Sequence, residues 1–176
     1  YGGIEGGGAW RISQKGQAAK EMNTFLPLPC YQASAKCLDY RRLNKQILEC
    51  DQILSVLRKV QLQLAGGEPI KRIGWANHPA VRQWSGHLWS LKHYRNTCLR
   101  EWLIRGYKST RVFESLLRDE LGDTHGAAPP WWFGRADFHA SHRSNLLRKD
   151  PEWYGQFGWT EPHDLPYVWP SHELKV

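Results

Sequence analysis

The run from Asp39 to about Leu64, beginning "DYRRLNKQILECDQILSVL", carries the longest helical period in the sequence. At about 100° per residue, Leu43, Ile47, Cys50, Leu54 and Leu57 share one stripe at spacings of four, three, four and three. A helix of that length has to bury the stripe against other helices, so the chain is committed to helical packing. Arg42, Lys45, Glu49 and Gln52 fall within an arc of roughly 80°, well away from the stripe. Asp39 precedes Arg42 by one turn and suits the N-cap.

The rest of the chain extends the helical reading. Gly66, Gly67 and Pro69 stop the first long helix. A second is expected from about Pro79 to Arg105, with Trp84, Leu88, Leu91, Cys98 and Trp102 on its core side and Gly106 at the C′ position. A shorter helix is expected over about Arg111–Leu121 and another over Ala140–Arg148, before a tail rich in Pro, Gly and aromatics from Pro151. No strand alternation of useful length appears, so the fold class is mainly α, in a compact single domain. Residues 1–21 are glycine-rich, then polar and aperiodic, and read as a leader outside the fold. Met22, the only methionine, opens "MNTFLPLP" and reads as the native start, making 22–176 the folded domain.

The formal net charge of +7 and pI near 9.4 favour an anionic partner, nucleic acid before others. Ten tryptophans sharpen that preference, because cations beside rings suit phosphate contact combined with base stacking. No stretch approaches the roughly 18 apolar residues of a membrane span, and the start lacks a secretory signal pattern. Cys30, Cys37, Cys50 and Cys98 follow no C-x-x-C or framework spacing, which reads as reduced thiols in a cytoplasmic protein. His139 and His142 form an H-x-x-H pair with no clear third ligand, so no metal is expected.

Two constellations can carry chemistry. On the first long helix, Arg41, Arg42 and Lys45 can neutralise phosphates while Glu49 acts as an acid/base; a charged face of this kind can also be plain solvated surface. The second is "HASHRSNLLRKDPEWYGQFGW", where His142, Arg143, Arg148 and Lys149 stand close in sequence to Trp153, Tyr154, Phe157 and Trp159. A metal-dependent nuclease built on Asp137, His139 and His142 is a further alternative.

With these residues, the chain from Met22 to about Trp159 resembles the pyrimidine-dimer DNA glycosylase family. That family carries a Tyr-Arg-Glu-Leu run on an early helix, which Tyr40, Arg41 and Leu43 match, and Lys45 lies near the position of a further arginine. Its Pro-x-Trp-Tyr-x-x-aromatic-Gly segment is matched by Pro151, Trp153, Tyr154, Phe157 and Gly158. Bacterial and phage proteins grouped with the family share the blocks found here at Asp39–Glu49, Asn77–Ala80 and Ser141–Pro151. Two positions depart: Arg42 stands where the family has its catalytic glutamate, and Gly155 lies where the family has a lysine.

The resemblance implies an all-α repair enzyme of the base-excision kind. It would act as a monomer on damaged double-stranded DNA, flipping a nucleotide and forming a Schiff base between an amine and the sugar C1′, with no cofactor. An N-terminal α-amine suits that attack, since its pKa of about 7.7–8.0 leaves free base at neutral pH. The candidate nucleophile is the amine of Asn23, or of Met22 where that residue is first, with Lys45 as the fallback. Glu49 or Asp39 would supply the acid. DNA would be held by Arg41, Arg42, Lys45, His142, Arg143, Arg148, Lys149, Trp153 and Tyr154. A non-catalytic DNA-binding protein on the same fold is the alternative, given Arg42.

Overall fold

A computed structural model describes residues 22–68, 72–117 and 120–170; the leader expected over 1–21 lies outside the described residues. Helix α1 (Tyr31–Cys37) leads into α2 (Tyr40–Leu64), whose first turn is capped by Asp39. The Asp39 carboxylate accepts hydrogen bonds from the Arg41 and Arg42 amides at 3.0 and 3.1 Å. Helix α2 ends in a Schellman motif: Gly66 N–H donates to the Gln63 carbonyl and Gly67 N–H to that of Leu62, with Gly66 at φ 82°. Its expected stripe is buried throughout, joined by Ile53 and Val56.

The second long helix is not continuous. It divides into α3 (Pro79–Gln83) and α4 (Leu88–Ile104), separated by a turn at Trp84–His87. Gly86 sits at φ 78°, and its carbonyl accepts the backbone N–H groups of Thr124 and His125. A Cβ at Gly86 would meet Thr124 Oγ1 at 2.7 Å, so the break admits a returning loop. Helix α4 closes as expected on Gly106, again with Schellman bonds, and packs along α2 and α1.

Arg111–Leu121 holds no helix among its described residues. The segment stays out of helix because side chains from α4 satisfy its backbone. Asn96 bonds both the Glu114 N–H and carbonyl at 2.8 Å, Arg95 bonds the Val112 carbonyl at 2.5 Å and Trp89 bonds that of Leu116 at 3.1 Å. The last helices are α5 (Ala136–Lys149), starting earlier than expected, and α6 (Pro151–Gly155). The described residues contain no strand.

Residues 23–28 form an extended segment threaded through the core, with long side chains holding almost every peptide group. Gln46 donates to the Asn23 carbonyl (3.2 Å) and accepts from Phe25 N–H (2.7 Å), while Tyr94 donates to the Phe25 carbonyl. His142 Nδ1 accepts from Leu26 N–H (3.2 Å), His139 Nδ1 donates to the Leu26 carbonyl (2.7 Å), and Arg143 donates to that of Pro27 (2.8 Å). Ser34 bonds both polar groups of the Leu28 backbone. Trp84 and Trp132, edge-to-face at 5.0 Å, close the core beside it, and Trp84 donates to Thr24 Oγ1 at 2.9 Å.

Candidate nucleic-acid interface and active site

Asp39 is the hinge of the first cleft. Besides capping α2, its carboxylate accepts from Arg42 Nη1 and from the Tyr154 hydroxyl, both at 2.7 Å. Its own N–H donates to that hydroxyl at 3.3 Å. Burial works to raise the Asp39 carboxyl, but the bonds from Arg42 and Tyr154, with the backbone, outweigh it and hold the group below its ordinary range. One residue therefore ties the start of α2 to α6, joining segments more than a hundred residues apart. Asp150 finishes the joint: it caps α6 through Trp153 N–H (3.1 Å) and lies 3.7 Å from Arg42.

The cleft so formed has a volume of about 680 Å³ and is bordered by Tyr40, Arg41, Arg42, Lys45, Lys149 and Trp153, with Phe25 and both aspartates. The Trp153 indole donates to the Cys37 carbonyl at 2.9 Å, and the Arg42 guanidinium lies 5.7 Å from the Tyr154 ring centre. Rings and cations thus share one opening, which suits phosphate with a stacked base or sugar.

Glu49 is not on an exposed face: it is 1% exposed, and Lys45 Nζ lies 3.4 Å from its carboxylate. It stands three residues beyond Gln46, which grips Asn23, so acid and N-terminal segment meet on neighbouring positions of α2. Asn23 is itself buried. A second cleft of about 370 Å³ opens further along the same helix face, bordered by Met22, Gln52, Ser55, Val56, Lys59, Gly74 and Trp75. Phe25 borders the first cleft and Met22 the second, so the N-terminal segment crosses α2 between them.

Of the residues singled out from sequence, Asp39, Arg41, Arg42, Lys45, Lys149 and Trp153 border the first cleft and Tyr154 lies buried against Asp39. His142 and Arg143 turn the other way, onto Leu26 and Pro27, and Arg143 also pairs with Glu161 at 2.5 Å. Burial, with the charge of His139 second, pushes His142 down to about 3, so the ring is neutral. Arg148 is exposed, is not among the residues that border the cleft, and bonds Asn145. His139 and Asp137 do not converge with His142 on a common point: His139 spans Leu26 and Gly134, and Asp137 pairs with Arg135 at 2.6 Å. Among the described residues no group of three or more His, Cys, Asp or Glu side chains could hold a metal ion, and no helix is long and apolar enough to cross a membrane. Sequence reasoning missed Asp150, although Asp before Pro is a helix-start signal. It also missed Gln46 and Tyr94, whose roles carry no local signal.

The described residues form a helical fold with a cleft bordered by cations and rings at the start of its longest helix. The chain belongs to the pyrimidine dimer DNA glycosylase family, whose family model matches residues 22–115. The match spans the N-terminal segment through α4 and ends in the extended stretch, before the α5–α6 wall. No curated protein and no solved structure matches the chain.

Proposed function

We propose that this protein is a DNA glycosylase with AP lyase activity that acts on damaged duplex DNA. In this reading Arg41, Lys45, Arg148 and Lys149 take phosphates, with Arg42 and Tyr40 flanking, and Trp153 and Tyr154 form the aromatic wall. The nucleophile is the α-amine of Met22 or Asn23, freed by processing in a domain that starts there. Its lone pair forms a bond to the sugar C1′ as the C1′–base bond breaks. The base leaves with the bonding electrons and receives a proton; an amine proton then passes to the ring oxygen as the C1′–O4′ bond breaks onto it, which opens the sugar and leaves an iminium. Glu49 moves the proton and stabilises the cation. Loss of a proton from C2′ then forms the C2′–C3′ double bond as the C3′–O bond breaks, and the phosphate leaves with that electron pair, cutting the strand. Lys45 is the poorer nucleophile, because an ammonium engaged by Glu49 has no lone pair to offer.

The observation that carries the proposal is the clamped segment, with residue 23 gripped by Gln46 within a turn of the buried Glu49 carboxylate and the half-exposed Lys45 beside it. The test compares a chain beginning at Met22 with the full chain, on duplexes holding an abasic site or a cyclobutane dimer, with borohydride and EDTA. Reduction of the iminium should give a covalent adduct only when the terminus is free, and Glu49→Gln should slow its formation by about 10²-fold or more.

A second reading has its own observation. Arg42, which by the resemblance stands where the family has its glutamate, is committed to Asp39 and Asp150. A binding protein that has lost catalysis would bind duplex DNA in a salt-sensitive manner and form no adduct in either form.

A further inference from the structure

Trp75 is the only described residue other than glycine with a positive φ, at 68°. A bulky L side chain is disfavoured there, and such outliers persist when the surroundings fix them. The surroundings do so here. Ile73 packs on the core before it, the Trp75 carbonyl accepts from His78 N–H at 2.8 Å, and His78 caps α3 through Ala80 N–H. The indole touches further rings: the His78 ring centre lies 5.2 Å from that of Trp75, and the Trp169 ring centre lies 6.2 Å from that of His78. Burial holds His78 below its ordinary range, so the supporting ring carries no charge at neutral pH. Yet Trp75 is 47% exposed. An unfavourable backbone that holds a large apolar ring half in water does little for the core.

The indole borders the second cleft, opposite Gln52, Ser55 and Lys59, which follow one face of α2. That face begins with Arg42 and Lys45 in the first cleft, and about 25 Å of helix separates Arg42 from Lys59. Both clefts thus lie on one helix face, with the N-terminal segment between them.

We propose that Trp75 is a stacking residue for a nucleobase of bound DNA that has left its pair. Gln52 and Ser55 offer hydrogen-bonding groups to the base edge, and Lys59 takes an adjacent phosphate. The inference rests on the DNA reading above. The shared chemistry is a π-face on a base, from the damaged strand or the strand opposite.

The test uses the full 176-residue chain with undamaged duplex and with abasic-site duplex carrying 2-aminopurine either beside the lesion or opposite it. Trp75→Ala and Trp75→Gly should each lose about tenfold or more in preference for the lesion duplex, while Trp75→Phe stays within about threefold of wild type. Binding by wild type, but not by Trp75→Ala, should quench the 2-aminopurine at one of the two positions, which identifies the strand. Because glycine accepts this backbone freely, Trp75→Gly should melt no lower than wild type. A core-packing role predicts the reverse, with melting falling in step with affinity. Wild-type preference and quenching retained in Trp75→Ala overturn this assignment alone. A wild-type chain with no preference for lesion DNA overturns the repair reading and this assignment with it.

Discussion

His142 shows how a single ring can govern the path of the N-terminal segment. Its Nδ1 accepts from Leu26 N–H, so protonation there removes the acceptor and charges a buried site. The folded ring is held near 3 against an ordinary value of 6.5, so between those limits the unfolded chain binds the proton and the folded chain does not. Stability is therefore complete above about 6.5 and declines as pH falls toward 3, at a limiting slope of about 1.4 kcal/mol per pH unit for this group. His139 is lowered as well, by burial first, and adds in the same direction. Charged groups bear on this pair: Arg143 depresses His139 further and Asp137 opposes. Denaturant unfolding across pH 4–8 should show the decline. His142→Asn should lose about 2 kcal/mol at pH 8 through the orphaned Leu26 N–H and show a shallower slope below 6.5; an unchanged slope would remove His142 as its source.

At the scale of elements, the extended stretch after α4 is the least conventional part of the fold. Val112 and Leu117 are 79% and 75% exposed, so apolar burial holds little of it. Ion pairs and side-chain bonds to its backbone do that work instead. Arg58 pairs with Glu114 at 2.8 Å and with Glu120 at 2.5 Å, and Lys92 reaches Glu120 at 2.6 Å. Burial works to raise Glu120, but Arg58 and Lys92 outweigh it and hold the carboxyl below its ordinary range. Lys92 is 2% exposed. Glu120→Gln takes away the carboxylate opposite that ammonium and should cost about 3 kcal/mol in unfolding experiments. Val112→Ser should stay within about 0.5 kcal/mol. Hydrogen exchange at the Glu114 amide should speed up in the first variant and not in the second.

Over the whole molecule, the net charge of +7 draws any polyanion, and only part of that charge faces the first cleft. Arg41, Lys45 and Lys149 border it, whereas Arg58, Arg95 and Arg143 are committed to internal carboxylates. Duplex affinity measured from low to moderate salt should follow a straight line in log–log form. Arg41→Ala and Lys149→Ala should each flatten that slope by about one unit. Arg143→Ala should leave it unchanged while lowering the melting temperature, because that guanidinium holds Pro27 and Glu161. Equal flattening by all three would mean that charge acts through the general field and not through the cleft.

The helical class, the length and buried stripe of α2, the Asp39 cap and the glycine stop at Gly106 were legible in the sequence, because each rests on contacts within a few residues. The family resemblance marked the cationic helix start and the distant aromatic segment as separate stretches of sequence, and only the fold brings Arg42 and Asp39 against Tyr154 and Asp150. Tertiary structure decided the rest. It buried Glu49 under Lys45, turned His142 and Arg143 from an expected DNA wall into a clamp, broke the second helix at Gly86 and kept the described residues of Arg111–Leu121 out of helix. In each case the partner lies far away in the chain: Leu26 for His142, the 124–125 loop for Gly86, Asn96 for Glu114. Periodicity reports which face of an element is apolar. It carries no information about which distant backbone group a buried side chain must satisfy, and hydrogen bonds of that kind set the course of the N-terminal segment.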